Sequence, residues 1–208
     1  FEQAAIAIFV AMVLDGLDGR VARLTRTQSA FGAEYDSLSD MVSFGVAPAL
    51  VTYAWALKDM GRLGWIASFI YCVGAALRLA RFNSSAEASD KRFFQGLPSP
   101  AAAALVAGFV WVMIDRGAQG ADVRWLAGAL VIFAGITMVS NVRFYSFKDF
   151  NLRRSVPFVF IVAIALIIAL LSYEPSLALF GLFVVYALSG YVLALRRLLR
   201  RKATSSAD

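Results

Sequence analysis

The sequence predicts an all-α protein, a single polytopic transmembrane bundle of about seven helices. Three observations predict it. Hydrophobic residues make up 60% of the chain and charged residues only 16%, with a mean hydropathy of +0.70, whereas a soluble domain is nearer a quarter charged. Apolar runs of transmembrane type recur along the whole chain. The basic residues alternate from loop to loop, as they do when helices cross a bilayer back and forth.

The runs are Gln3 to Leu14, Met41 to Leu57, Leu63 to Leu77, Phe93 to Ile114, Trp125 to Val142, Ser155 to Tyr173 and Pro175 to Leu195. A span needs about 20 mostly apolar residues, so several runs suffice only with their polar ends included. Such ends are tolerated where helices line a cavity. The fourth run should open non-helically, because Gly96-Leu97-Pro98-Ser99-Pro100 resists helix at its start. Pro48 and Pro157 read as kinks or first-turn positions. Trp65, Trp111 and Trp125 fall near span ends and suit an interfacial belt. No linker separates two domains, so residues 1–202 form one transmembrane domain and 203–208 a disordered tail. The first residue is Phe1 rather than Met, and a further helix before it is expected.

One set of alternate loops carries Arg20, Arg23, Arg26, then Arg78, Arg81, Lys91, Arg92, then Arg143, Lys148, Arg153, Arg154, and finally Arg196, Arg197, Arg200, Arg201 and Lys202. The other set carries only Lys58, Arg62, Arg116 and Arg124. Sixteen against four supports the helix count and places the richer side in the cytoplasm. The expected setting is the inner membrane of a bacterial-type cell. The net charge of +6 is then an orientation signal with some attraction for anionic headgroups, and nucleic acid is excluded as a partner.

There is no histidine, which removes the commonest general base and a common metal ligand. The one cysteine, Cys72, lies in an apolar run and cannot pair within the chain. Chemistry must rest on carboxylates, cations, hydroxyls and an oxygen-liking metal.

The carboxylates are concentrated in DGLDGRVARLTRTQSAFGAEYDSLSD, from Asp15 to Asp40. Charges at that depth in a membrane protein are costly and point to function. Asp15 and Asp18 are three apart, Asp36 and Asp40 four apart, so each pair shares a helix face. The residues between Asp18 and Asp36 contain a turn, and antiparallel helices there would aim all four at one point. Four carboxylates so placed repel one another, and a divalent cation relieves the conflict. An all-oxygen set favours Mg²⁺ or Mn²⁺, with Ca²⁺ able to substitute. The competing reading is salt bridging to Arg20, Arg23 and Arg26. Gly19, Ala22 and Gly32 leave room for a ligand against the backbone, or for helix packing. Arg23 offers a cation suited to phosphate. A divalent-cation transporter is a remote alternative, because no second acidic cluster continues a path across the membrane.

The pattern D-x₂-D-G-x₂-A-R-x₈-G-x₃-D-x₃-D is filled without departure by Asp15, Asp18, Gly19, Ala22, Arg23, Gly32, Asp36 and Asp40. In this the chain resembles the CDP-alcohol phosphotransferases, membrane enzymes that move a phosphatidyl-type group from a CDP-linked donor to an alcohol. The resemblance implies a homodimer and a metal-dependent transfer, with two ions held by Asp15, Asp18, Asp36 and Asp40. It makes Asp40 the general base and lines the cytidine and phosphate site with Asp18, Gly19, Ala22, Arg23 and Gly32. The runs SDMVSFGVAPA, LRLARFN and FQGLPSPAAA resemble the branch that passes the phosphatidyl group of CDP-diacylglycerol to L-serine. Glycerol 3-phosphate, inositol phosphate and choline are the acceptors of other branches. Arg78, Arg81 and Asn83 share one cytoplasmic helix end, and Ser99 opens the next helix. They could hold the lipid phosphate or the serine carboxylate, or, in the case of the arginines, simply snorkel to the interface.

Overall fold

The computed structural model describes residues 1–25, 27, 29–84, 93–145 and 169–205. Helices follow one another in chain order, as expected: α1 (Glu2–Thr25), α2 (Ala30–Met60), α3 (Arg62–Ser84), α4 (Ser99–Asp115) and α5 (Arg124–Val139), then α6, of which 169–173 are described, and α7 (Pro175–Ser205). The protein is an all-α membrane bundle. Three helical stretches, Ala30–Met60, Arg62–Ser84 and Pro175–Arg196, are long and apolar enough to cross a bilayer, and α4 and α5 are shorter apolar helices. The expected sixth span otherwise lies outside the described residues, as do Pro157, Lys91, Arg92, Lys148, Arg153 and Arg154.

Both helices around the acidic stretch outrun their apolar segments. α1 continues to Thr25 and α2 starts at Ala30, so all four aspartates are helical and the turn between the helices is short. Ser29 caps α2, its Oγ accepting from the Gly32 N–H at 3.0 Å. Residues 30–40 bury nothing, which leaves this end of the hairpin open to solvent. Beyond Asp40 the helix loosens into a π-type stretch, Met41–Val46, then returns to α over Ala47–Thr52 and loosens again over Tyr53–Leu57. Such wide turns tend to occur where a helix serves a functional site.

α4 lies at the centre. Its alanines and valines are buried along most of its length, and their small size lets neighbouring backbones come close. It packs against α7, α1 and α5. α3 and α5 form the other tight pair, with Gly74 set against the Gly135 backbone. The main core gathers Tyr71, Leu105, Val106, Val131 and Met138, and a second cluster joins Ile8, Phe9 and Phe44 to Ala103 and Ala107. The outward faces carry exposed Val13 and Leu17 on α1, Phe69 and Leu77 on α3, and Val185 and Val192 on α7. Apolar faces of this extent fit hydrocarbon rather than water.

The fourth helix starts only at Ser99, in keeping with the expected non-helical opening of its run, while the fifth ends at Val139, short of the expected Val142. The residues left over form a short antiparallel pair: β1 (Phe93–Gln95) aligns with β2 (Arg143–Tyr145), Phe94 opposite Phe144. Gly96 follows at φ 77°, a left-handed turn that favours glycine, and donates to the Val142 carbonyl at 2.8 Å. Leu97 N–H then reaches the Thr137 carbonyl at 3.1 Å. The start of α4 is thereby fastened to the end of α5. α7 runs to Ser205, into the segment expected to be a tail from Ala203, where the basic residues of its last turns suit the negative end of a helix.

Candidate active site

The hairpin of α1 and α2 brings the acidic residues together. Carboxylate oxygens of Asp15, Asp18 and Asp36 all lie within 4.8 Å of one another. Asp15 is half-buried, while Asp18 and Asp36 are exposed. Asp40, one turn beyond Asp36, is half-buried and stands within hydrogen-bonding reach of Asp15. The two helix faces thus bring three carboxylates to one place, with the fourth, Asp40, adjoining Asp15.

This donor set fits a hard divalent cation. Oxygen ligands sit about 2.0–2.6 Å from Mg²⁺ or Ca²⁺, so ligand atoms around one ion are separated by less than about 5 Å. The observed separations satisfy that limit without moving the backbone. No imidazole or thiolate competes, since the chain lacks histidine and its one cysteine, Cys72, lies on α3, where its thiol sits 3.6 Å from the Gly45 carbonyl.

The small residues take distinct places. Gly19 and Ala22 follow Asp18 on α1 and are half-buried. Gly32 faces its own helix cap, where a Cβ would come within 3.1 Å of the Ser29 hydroxyl. Its lack of a side chain thus preserves the cap as well as leaving the backbone approachable. The Arg23 side chain and Arg26 lie outside what the structure describes.

The three polar residues at the end of α3 separate into different jobs. Arg81 donates to the Val139 carbonyl at 3.2 Å and to Asn141 Oδ1 at 3.3 Å, so it ties α3 to the end of α5. Asn83 donates to Ser37 Oγ at 3.0 Å, one residue past Asp36, and so ties α3 to α2. Arg78 alone turns toward the acidic site. Its Nη1 donates to the Oγ of buried Ser99 at 2.6 Å, and it lies within electrostatic reach of Asp40 and Tyr186. Arg78 and Ser99 are therefore brought together beside Asp40, whereas Arg81 and Asn83 act as ties between helices.

Two residues at this site had no sequence signal beyond their polarity. Tyr71 is wholly buried in α3, and its hydroxyl donates to the Phe44 carbonyl at 2.9 Å. Tyr186 of α7 lies near Arg78 and packs on Phe144. A tyrosine inside an apolar run needs a partner for its hydroxyl, which is the one hint such a sequence offers.

Among protein-family profiles, CDP-alcohol phosphatidyltransferase matches residues 1–140, a stretch that contains the whole acidic hairpin and reaches the end of α5. The chain belongs to that family. Relatives extend the likeness through α7. A CDP-diacylglycerol–serine O-phosphatidyltransferase of Helicobacter pylori (strain J99) is 37% identical over 211 residues, covering 99% of this chain and 86% of the relative. A protein of the same name from Methanocaldococcus jannaschii is 36% identical over 189 residues, covering 91% of this chain and 83% of its own length. One from Mycobacterium leprae is 35% identical over 190 residues, covering 88% of this chain and 63% of the relative.

Proposed function

We propose that this family member transfers the phosphatidyl group of CDP-diacylglycerol to the hydroxyl of L-serine, giving phosphatidylserine and CMP. The observation that carries the reading is the convergence of Asp15, Asp18 and Asp36, with Asp40 beside them, on the family's acidic hairpin. The acceptor comes from the shared name of relatives that align over nearly the whole chain.

In this reading Asp15, Asp18 and Asp36 would hold Mg²⁺ or Mn²⁺, with Asp40 contributing to a second ion and Ca²⁺ able to substitute. When bound, such ions would supply positive charge for the diphosphate and for the departing CMP. The chain's own residues do the rest. Gly19, Ala22 and Gly32 leave the backbone clear for the nucleotide, and Arg23 supplies a cation for its phosphate. Asp40 takes the proton from the serine hydroxyl as that oxygen attacks the phosphorus carrying diacylglycerol. A new P–O bond to serine forms, the P–O bond to CMP breaks, and CMP leaves with the electron pair.

The donor's acyl chains also have a place. An apolar groove of about 490 Å³ is lined by Met12, Pro98, Pro100, Leu182, Phe183 and Val185, between α1, the start of α4, and α7. Met12 precedes Asp15 by three residues, so the groove adjoins the acidic site. The alternation of basic loops supports a bacterial-type inner membrane with this site on the cytoplasmic face. Residues 1–202 act as one catalytic domain, assembled as a homodimer.

The test is direct. Purified protein is given CDP-diacylglycerol, Mn²⁺ or Mg²⁺, and labelled serine, glycerol 3-phosphate, inositol phosphate or choline in turn. Phosphatidylserine and an equal quantity of CMP are expected. Product from another acceptor in place of serine would refute the acceptor, and no CMP from any would refute the reaction.

A further inference from the structure

Arg78 has an unfinished set of hydrogen bonds. Its Nη1 is engaged by Ser99, but its Nε–H is buried and has no partner among the described residues. Among the described residues it makes no ion pair, although Asp40 is near enough to feel its charge. A buried donor on a charged group is expensive to leave unpaired, so a site of this kind is built for a group that arrives later. The arginine fork presents Nε and an Nη side by side, the geometry that receives a planar two-oxygen anion. The positive end of α4 lies at the same spot, because Ser99 is its first residue.

Position selects between the anions available. Asp15, Asp18 and Asp36 already supply a place for cations that would neutralise phosphate. Arg78 instead faces Asp40 and is anchored from the side of α4. An acceptor with its hydroxyl at Asp40 has its other end within reach of that fork. Arg81 and Asn83 cannot serve, as both are committed to neighbouring helices.

Resting on the serine-transfer reading, we infer that Arg78, held by Ser99, receives the α-carboxylate of the acceptor and sets the preference for an amino acid over a neutral amino alcohol. The carboxylate takes the open Nε–H and the adjacent Nη edge. Its capture orients the hydroxyl toward Asp40. Serinol, which carries the same amine and hydroxyl but no carboxylate, cannot use this clamp.

The experiment compares L-serine and serinol as acceptors for the full chain and for Arg78→Gln and Arg78→Lys in detergent with CDP-diacylglycerol. The wild type should favour serine in kcat/KM by about 10- to 100-fold, the size of a lost charged hydrogen-bond pair. Arg78→Gln should raise the serine KM by about 10-fold or more and bring the two acceptors close to parity, with the KM for CDP-diacylglycerol little changed. Arg78→Lys, which keeps the charge and loses the fork, should retain only part of the preference. Should the KM for CDP-diacylglycerol rise while the serine-to-serinol ratio stays at the wild-type value, Arg78 serves the donor phosphate and the inference is overturned. A wild-type ratio kept by a folded Arg78→Lys with unaltered KM values overturns it equally. Failure of the serine reading itself is separately visible, because the wild type alone would then prefer another acceptor, and the clamp would fall with it.

Discussion

Removing the Tyr71 hydroxyl tests how the position of Asp40 is fixed. Phe44 lies four residues past Asp40, and residue 48, which would ordinarily donate to its carbonyl along an α-helix, is a proline with no N–H. The Tyr71 hydroxyl donates there instead, at 2.9 Å, from a wholly buried side chain. In Tyr71→Phe the carbonyl is left buried with that donor missing. The cost should be about 1–3 kcal/mol, the penalty for stranding a buried polar group. For a chain of this size each kcal/mol lowers Tm by about 2–4 °C. Asp40 sits one helical turn away, and a displacement of an ångström at a reacting group can cost roughly 100-fold in rate. We therefore expect a lower Tm in detergent, together with a fall in kcat of about 10-fold and little change in KM for CDP-diacylglycerol. A double-mutant cycle sharpens the test. Pro48→Ala restores a backbone N–H, so Tyr71→Phe should cost less in that background, by about 1 kcal/mol. Equal destabilisation by Tyr71→Phe with and without Pro48 would refute the argument, as would a Tyr71→Phe protein with wild-type Tm and turnover.

The remaining predictions concern the acids and the helix packing. Asp40→Asn keeps the shape and removes the base, so serine incorporation should fall by about 10²- to 10⁴-fold while CDP-diacylglycerol binding persists; near wild-type turnover would show the base assignment to be wrong. Asp15→Ala should weaken Mn²⁺ binding measured by calorimetry in the presence of CDP-diacylglycerol, and exhaustive chelation should silence the wild type until Mg²⁺ or Mn²⁺ is returned. Activity that survives chelation would exclude the metal reading. Gly74→Ala would place a Cβ about 2.5 Å from the Gly135 carbonyl oxygen. Overpacking of that kind costs about 1–3 kcal/mol and should appear as a lower Tm, since α3 and α5 must move apart.

The acidic site was legible because its signal is local and periodic. Asp15 with Asp18 and Asp36 with Asp40 share helix faces at fixed spacings, and the turn between them is short enough to bring the faces together. Helix number was legible for a similar reason, since apolar runs and loop charge both repeat. What escaped was long-range. The pairing of Phe93–Gln95 with Arg143–Tyr145 joins three-residue segments, too short to show an alternation of their own. Arg78 and Arg81 look equivalent as residues three apart on one helix end, yet one meets Ser99 across 21 positions and the other meets Val139 across 58. No local pattern encodes those distances.

α3 emerges as the element that holds the chemistry in place. Tyr71 and Arg78 are seven residues apart, two helical turns, and so present the same face toward the same neighbours. Tyr71 fastens the helix just beyond Asp40, and Asn83 fastens it just before, through Ser37. Between those two ties stands Asp40, with Arg78 near it. A carboxylate on a hairpin whose outer part buries nothing would otherwise be free to drift with that hairpin. Bracketing it from a helix that is itself packed against α5 transfers the stiffness of the bundle core to that carboxylate. One end of the site can thereby stay open enough to admit an amino acid and release CMP while Asp40 keeps a fixed position. Catalysis by orientation needs both properties at once. The hairpin supplies the opening and α3 supplies the fixed point.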